Sequence, residues 1–327
     1  MATVKGGAPA GLAPTGMLYR YRRLYTGPLQ AIVLDWAGTT VDYGCMAPVA
    51  VFVEVFRRRG ITLSLPQARA PMGLEKRDHI RAIARQPAVT EQWQSVIGSG
   101  WTEADIDALF RESQQLQQAC VADYAGLIPG TLAAVAAFRA RGLKIGSTTG
   151  YSRPIMDVLL PAAGQQGYAP DAALCPDDVP AGRPYPWMAY ANAMQLGVYP
   201  MAAIVKVGDT IPDIEEGLNA GMWTIGLTKS GNELGLSEHE ASHMDPQQLA
   251  GRLQQIEQRM RQVGAHYVAE TIAEVPAILD RINACLQAGE PQIPGPRTQQ
   301  RGHTRHIHEN PTSPHHVPHT TAGATGQ

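Results

Sequence analysis

Short β-rich apolar runs recur along the chain at residues 29–34, 143–147, 172–175, 203–207 and 223–227, and helical patterns separate them. That alternation predicts a parallel sheet wrapped by helices. Roughly 110 residues separate the first and second runs, far more than one crossover helix needs. Helical patterns fill this gap over 47–58, 65–69, 73–84, 90–96 and 102–124, the last beginning at a Thr102 N-cap followed by Glu103 and Asp105. An insertion after the first strand projects from the carboxyl end of the sheet, where open α/β folds bind ligands, and so roofs the site. The expected organisation is an α/β core (29–46 and 125–286) with a helical cap domain (47–124). The Gly/Ala/Pro-rich residues 1–28 and the His/Pro-rich residues 287–327 hold little to bury and are expected to be disordered.

Charge narrows the partners. With 27 basic against 29 acidic residues and no Lys/Arg cluster in the middle of the chain, nothing points to nucleic acid or a membrane surface, which leaves a small molecule. Cys45, Cys120, Cys175 and Cys285 are far apart and form no CxxC pair, so they read as reduced thiols rather than as a zinc site or a disulfide framework. No apolar run reaches spanning or signal-peptide length, and a cytoplasmic protein is the default expectation.

Four constellations sit beside the strand runs. Leu34-Asp35-Trp36-Ala37-Gly38-Thr39-Thr40 carries an apolar strand into an acid and then into small and hydroxylic residues. Taken alone, Asp35 serves equally well as a turn cap. Ser147-Thr148-Thr149-Gly150 ends a strand in hydroxyls and a glycine, groups that can meet a phosphate. Arg183 lies in the stiff loop Pro180-Ala181-Gly182-Arg183-Pro184, where a held guanidinium neutralises phosphoryl charge. Gly208-Asp209-Thr210-Ile211-Pro212-Asp213 places two acids four apart after a strand, hard oxygen donors that suit Mg2+.

In this order the four motifs resemble the haloacid dehalogenase superfamily, whose fold is a Rossmann-like parallel sheet core with an inserted all-helical cap domain. Phosphatases of that superfamily carry a second acid where this chain has Ala37, so a phosphate monoesterase, the nearest alternative, lacks its general acid. A silent scaffold on the same fold would have no reason to keep all four motifs. A phosphonate fits better: its leaving group is carbon, which needs an electron sink, and a lysine imine supplies one. Only five lysines stand against 22 arginines, and Lys76 lies in Pro71-Met72-Gly73-Leu74-Glu75-Lys76-Arg77-Asp78-His79. On a helix Met72, Lys76 and His79 share one face.

The runs LDWAGTTVDYGC, PMGLEKRDHI, GSTTGYSR, PDDVPAGRPYPWM and KVGDTIPDIEEGLNAGMWT narrow the resemblance to the phosphonoacetaldehyde hydrolase family over about residues 28–285. It implies cleavage of the carbon–phosphorus bond of phosphonoacetaldehyde to acetaldehyde and phosphate, in 2-aminoethylphosphonate degradation. It further implies Asp35 as nucleophile, Lys76 as Schiff-base lysine, and His79 and Met72 serving that lysine. One Mg2+ per subunit is implied on Asp35, the Ala37 carbonyl and Asp209, with Asp213 nearby, directly or through water. Thr149, Gly150 and Arg183 would hold the phosphonate, with Cys45, Tyr151 and Thr210 lining the site. Relatives pair as homodimers through their caps, and the apolar stretch 49–56 is one candidate seam, although such stripes are more often internal core. Glu75 and Arg77 depart from the apolar residues usual in the family beside the lysine.

Overall fold

The first strand, β1 (Ala31–Leu34), is a run of four buried apolar residues, as expected where helices cover both faces of a sheet. In the computed structural model, which describes residues 25–289, it is followed by α1 (Met46–Arg57), α2 (Leu65–Arg69), α3 (Lys76–Ala84), α4 (Pro87–Ile97) and α5 (Glu103–Cys120). The chain then alternates through α6 (Thr131–Ala140), β2 (Lys144–Thr148), α7 (Arg153–Gln165), β3 (Ala172–Leu174), α8 (Trp187–Leu196), β4 (Ile204–Gly208), α9 (Ile211–Ala220) and β5 (Trp223–Leu227). It closes with α10 (Glu238–His243), α11 (Pro246–Gln262), β6 (Tyr267–Ala269) and α12 (Val275–Gln287).

The six strands form one parallel sheet in the order β3-β2-β1-β4-β5-β6. Register places Ala31 opposite both Lys144 and Ile204, so the chain direction across the sheet reverses between β1 and β4. Ligands of open parallel sheets bind outside the carboxyl ends of the strands at such a reversal.

Alternation along β1 divides the core. Ile32 and Leu34 pack with Phe138, Ile155, Leu159, Leu279 and Ile282 beneath α6, α7 and α12. Ala31 and Val33 pack with Met188, Ala189 and Ala220 beneath α8 and α9. The inserted helices α1–α5 hold a separate apolar cluster that includes Phe52, Phe56, Ile61, Ile80, Ile83, Trp93, Ile106 and Leu109. Val49, Val51, Phe52, Val55 and Phe56 of α1 are all buried there, so the suggested intersubunit seam is spent inside the chain.

Several expectations need correction. The helix expected over 73–84 starts at Lys76, because Pro71 and Gly73, the latter at φ 93°, shape a turn before it. That over 102–124 ends at Cys120 and tightens to a 3-10 turn over Val121–Tyr124. Strand β6, only three residues long, had no periodic signal. Residues 25–28 are placed, with Tyr25 packed on the core, and α12 runs to Gln287 with Ala288 and Gly289 closing it; the remaining expected disorder, the histidine-rich tail included, lies outside the described residues. All four cysteines are free. Among the described residues no helix is long and apolar enough to cross a membrane.

Candidate active site

Asp35 is the first residue beyond β1, and its N–H donates to the Val207 carbonyl at 3.0 Å, so the β1/β4 ladder fixes its position. The chain then turns sharply. Trp36 O accepts the N–H groups of Thr39, Thr40 and Val41 at 3.1, 2.8 and 3.0 Å. Gly38 makes this turn possible twice over: its φ of 81° is left-handed, and a Cβ there would overlap the Asp209 carboxylate and the Cys45 thiol. Asp209, just past β4, is thereby drawn against the first loop. Its Oδ1 accepts from Thr39 Oγ1 at 3.1 Å, and its Oδ2 from Asn232 N at 2.8 Å and from Cys45 Sγ at 3.5 Å.

Two cations brace the floor. Arg183 Nη2 donates to Asp35 Oδ1 at 2.7 Å and to Thr148 O at 2.8 Å, Nη1 lies 2.9 Å from Asp213 Oδ1, and Nε donates to Glu216 Oε2 at 3.1 Å. Lys206 Nζ lies 2.8 Å from Asp213 Oδ1 and 3.3 Å from Glu216 Oε2, and donates to Thr148 Oγ1 at 2.8 Å. All six charged groups are buried: two cations against Asp35, Asp209, Asp213 and Glu216, a formal excess of two negative charges. A buried excess of this size is costly unless a counter-charge enters.

The titration directions locate the excess. Burial, with the Asp35 and Asp213 charges added, drives the Asp209 carboxyl well above the usual carboxylate range. Asp35 is raised by burial, although Arg183 opposes the shift. Burial would raise Asp213 too, but Arg183 and Lys206 outweigh it and hold its carboxyl low. One oxygen from each of Asp35, Asp209 and Asp213 lies within 4.8 Å of the others. Three convergent hard oxygens carrying an uncompensated double negative charge fit a divalent cation such as Mg2+. Asp213 already meets Arg183, Lys206 and, through Oδ2, the N–H and hydroxyl of Thr210 at 3.2 and 2.5 Å. Asp35 and Asp209 are therefore the freer donors.

Above this floor lies a chamber of about 20 Å³ lined by Asp35, Ala37, Cys45, Met72, Lys76, Thr149, Gly150, Tyr151, Arg183 and Thr210, among others. Lys76 reaches it from the inserted helices because the turn before α3 is seated directly on the core. A Cβ on Gly73 would overlap Thr210 Oγ1, and one on Gly150 would stand 2.8 Å from Leu74 O. Lys76 Nζ lies 5.0 Å from the Tyr151 ring centre and 5.5 Å from that of Phe52. Burial pulls its pKa down to about 8, although the Cys45 and Asp35 charges oppose the shift.

Met72, Lys76, Thr149, Gly150, Arg183, Cys45, Tyr151 and Thr210 thus meet in one cavity, but two site expectations change. Met72 stands in the turn ahead of α3, so its place beside Lys76 is not owed to helical spacing. His79 does not line the chamber. Its Nε2 bonds the Ala68 carbonyl at 2.8 Å, its ring packs 4.1 Å from the Phe52 ring, and its Nδ1 has no hydrogen-bond partner in the protein. Burial, then the nearby Lys76 charge, brings its pKa to about 3. Sequence reasoning missed Lys206 and Glu216 of the brace behind Arg183, and it read Thr148 as a hydroxyl for phosphate, whereas that hydroxyl is spent on Arg183, Lys206 and Glu216. A lysine in the middle of the apolar strand Ile204-Val205-Lys206-Val207 was the available signal.

Comparison with known proteins shows the family. The profile of the haloacid dehalogenase-like hydrolase family matches residues 29–221. A phosphonoacetaldehyde hydrolase of Syntrophobacter fumaroxidans is 51% identical over 266 residues, covering 81% of this chain and 96% of its own. One from Bacillus cereus is 48% identical over 254 residues, covering 78% and 96%. The crystal structure of a phosphonoacetaldehyde hydrolase-like protein from Oleispira antarctica superposes with a TM-score of 0.81 at 39% identity, covering 84% of this chain and 99% of that one.

Proposed function

Since the chain belongs to the phosphonoacetaldehyde hydrolase family of haloacid dehalogenase-like hydrolases, we propose that it cleaves phosphonoacetaldehyde to acetaldehyde and phosphate through a Lys76 imine and an Asp35 aspartyl phosphate. The observation that carries this reading is the shared chamber: a buried amine with a lowered pKa and a buried carboxylate held by Arg183 line the same small cavity.

Neutral Lys76 Nζ attacks the aldehyde carbon, and loss of water with uptake of one proton from solvent leaves a protonated imine. Arg183, Thr149 and the Gly150 backbone hold the phosphonate oxygens while an Asp35 oxygen attacks phosphorus opposite the carbon. The P–C electron pair moves into the imine to give an enamine on Lys76. Protonation at carbon and hydrolysis then release acetaldehyde, and water opens the aspartyl phosphate. Mg2+ on Asp35, Asp209 and the Ala37 carbonyl would offset the repulsion between the two anions, Asp213 supporting it through the Arg183–Lys206 brace. His79, neutral at ordinary pH, can only accept a proton, and from beside Phe52 it serves to position Lys76.

The substrate would come from deamination of 2-aminoethylphosphonate in the cytoplasm, and the working unit would be a homodimer paired through its caps. The deciding experiment is phosphate release from phosphonoacetaldehyde with Mg2+, combined with borohydride reduction. Turnover and reductive labelling of Lys76 are expected. Turnover without labelling of Lys76, or equal activity in Lys76→Arg, would refute the mechanism.

A further inference from the structure

A second cavity, of about 80 Å³, meets the reaction chamber at Lys76 and Gly150, the two residues that line both. Its character is different. The chamber presents Arg183 and Thr149 to the phosphonate, whereas the second cavity is lined by Glu75, Asp177, Ser152, Phe110 and Pro176. Lys76 itself is the one cation among its lining residues.

The neighbouring cations are engaged elsewhere. Arg77 pairs with Asp107 at 2.7 Å and with Glu103 at 2.8 Å, and the Arg153 guanidinium pairs with Asp178, while Asp177 receives the Arg153 backbone N–H at 2.9 Å and the Cys175 thiol at 3.8 Å, both neutral donors. Ser152 Oγ accepts from Gln114, whose own Oε1 is buried without a partner. The cavity is therefore rich in negative charge and in acceptors.

The imine carbon on Lys76 has three substituents in one plane: the nitrogen, the phosphonomethyl arm and one more. The arm is committed to the chamber, where Arg183 and Thr149 meet the phosphonate. The second cavity is the other space that Lys76 lines, and so the one open to the third substituent, which is hydrogen in an aldehyde. We propose that this cavity is the specificity pocket for that substituent, and that Glu75 and Asp177 select against 2-oxophosphonates bearing a carboxylate there while admitting hydrogen or a small neutral group. The inference rests on the reading of Lys76 as the imine-forming residue. Like charges brought together repel, so a carboxylate placed beside Glu75 and Asp177 is disfavoured relative to a neutral group.

The test compares two competitive inhibitors, the methyl ketone 2-oxopropylphosphonate and the carboxylate 2-oxo-3-phosphonopropanoate, on wild type, Glu75→Gln, Asp177→Asn and the double variant. The ratio of their inhibition constants is read on one preparation and so does not depend on the folded fraction. Wild type should prefer the ketone, and the double variant should shrink that preference on the order of tenfold, with Glu75→Gln contributing more because Asp177 is exposed. An unchanged ratio in the double variant, with wild type still labelled at Lys76 by phosphonoacetaldehyde and borohydride, overturns the pocket assignment alone. Absence of that labelling overturns the imine reading, and the pocket with it.

Discussion

Arg183 Nη2 donates to Asp35 Oδ1 at 2.7 Å, while Nη1 and Nε of the same guanidinium lie 2.9 Å from Asp213 and 3.1 Å from Glu216. One side chain thus aims the attacking carboxylate and ties it to the helix that follows β4. The fork shape matters as much as the charge, since three carboxylates are met from three directions.

That geometry separates two variants. Arg183→Lys keeps a buried cation but cannot reach three partners, so kcat/KM should fall by roughly 100-fold or more while most stability is kept. Arg183→Met leaves three buried carboxylates to Lys206 alone and should lose roughly 3–5 kcal/mol in urea unfolding. A methionine variant as stable as wild type would mean that the brace is not needed to hold the floor together.

Asp209 meets only neutral donors, and burial raises its pKa strongly. Mg2+ should accordingly raise the melting temperature of wild type, by an amount equivalent to about 2.7 kcal/mol at a hundredfold excess over the dissociation constant. Asp209→Asn removes the unpaired charge, so the metal-free variant should melt above metal-free wild type and lose most of the response to Mg2+. Equal Mg2+ shifts in both proteins would place the ion elsewhere.

Gly38 is where the two strand-end loops touch. In Gly38→Ala the added methyl carries the strain of a left-handed φ and displaces Asp209, so a loss of about 1–2 kcal/mol is expected from the backbone alone, with more from the overlap. Because the Asp209 carboxylate moves, the Mg2+ response should weaken along with activity. Thermal melts with and without Mg2+ check both effects, and an intact Mg2+ response would show that the contact can relax.

What could be read in advance, and what could not, follows from the same physics. β5 coincides residue for residue with its apolar run 223–227, because a strand buried on both faces leaves an unbroken signature. Asp35, Lys76, Arg183 and Asp209 were legible because each stands just beyond a strand or in an unusual setting. Lys206 and Glu216 were not, since a buried ion pair looks in sequence like a stray charge in a strand and one more acid on a helix. Met72 was placed near Lys76 for the wrong reason, periodicity having been carried through Pro71 and Gly73. His79 was given a place on the reacting side, yet its hydrogen bond to Ala68 and its packing on Phe52 turn it into the interior of the inserted helices.

Lys76 links the proposed chemistry to stability. Its pKa is about 8 in the folded protein against 10.5 in the open chain. Below pH 8 both states carry the proton, and the folded state bears the whole cost of a buried ammonium. Between about 8 and 10.5 the folded protein gives up its proton while the unfolded chain keeps it, so stability attributable to this group rises with pH and the cost disappears. Lys76→Met keeps a chain of similar bulk without the charge. At pH 7 it should be more stable than wild type by up to roughly 3 kcal/mol, the equivalent of the lowered pKa at 1.36 kcal/mol per unit. The gain should shrink as pH rises through 8 and be nearly gone by 10.5. Urea unfolding of the two proteins in parallel across that range isolates the effect, because every other titrating group is shared. A stability difference that stays flat with pH would mean that Lys76 keeps an ordinary pKa, and the supply of neutral amine for imine formation would then need another source.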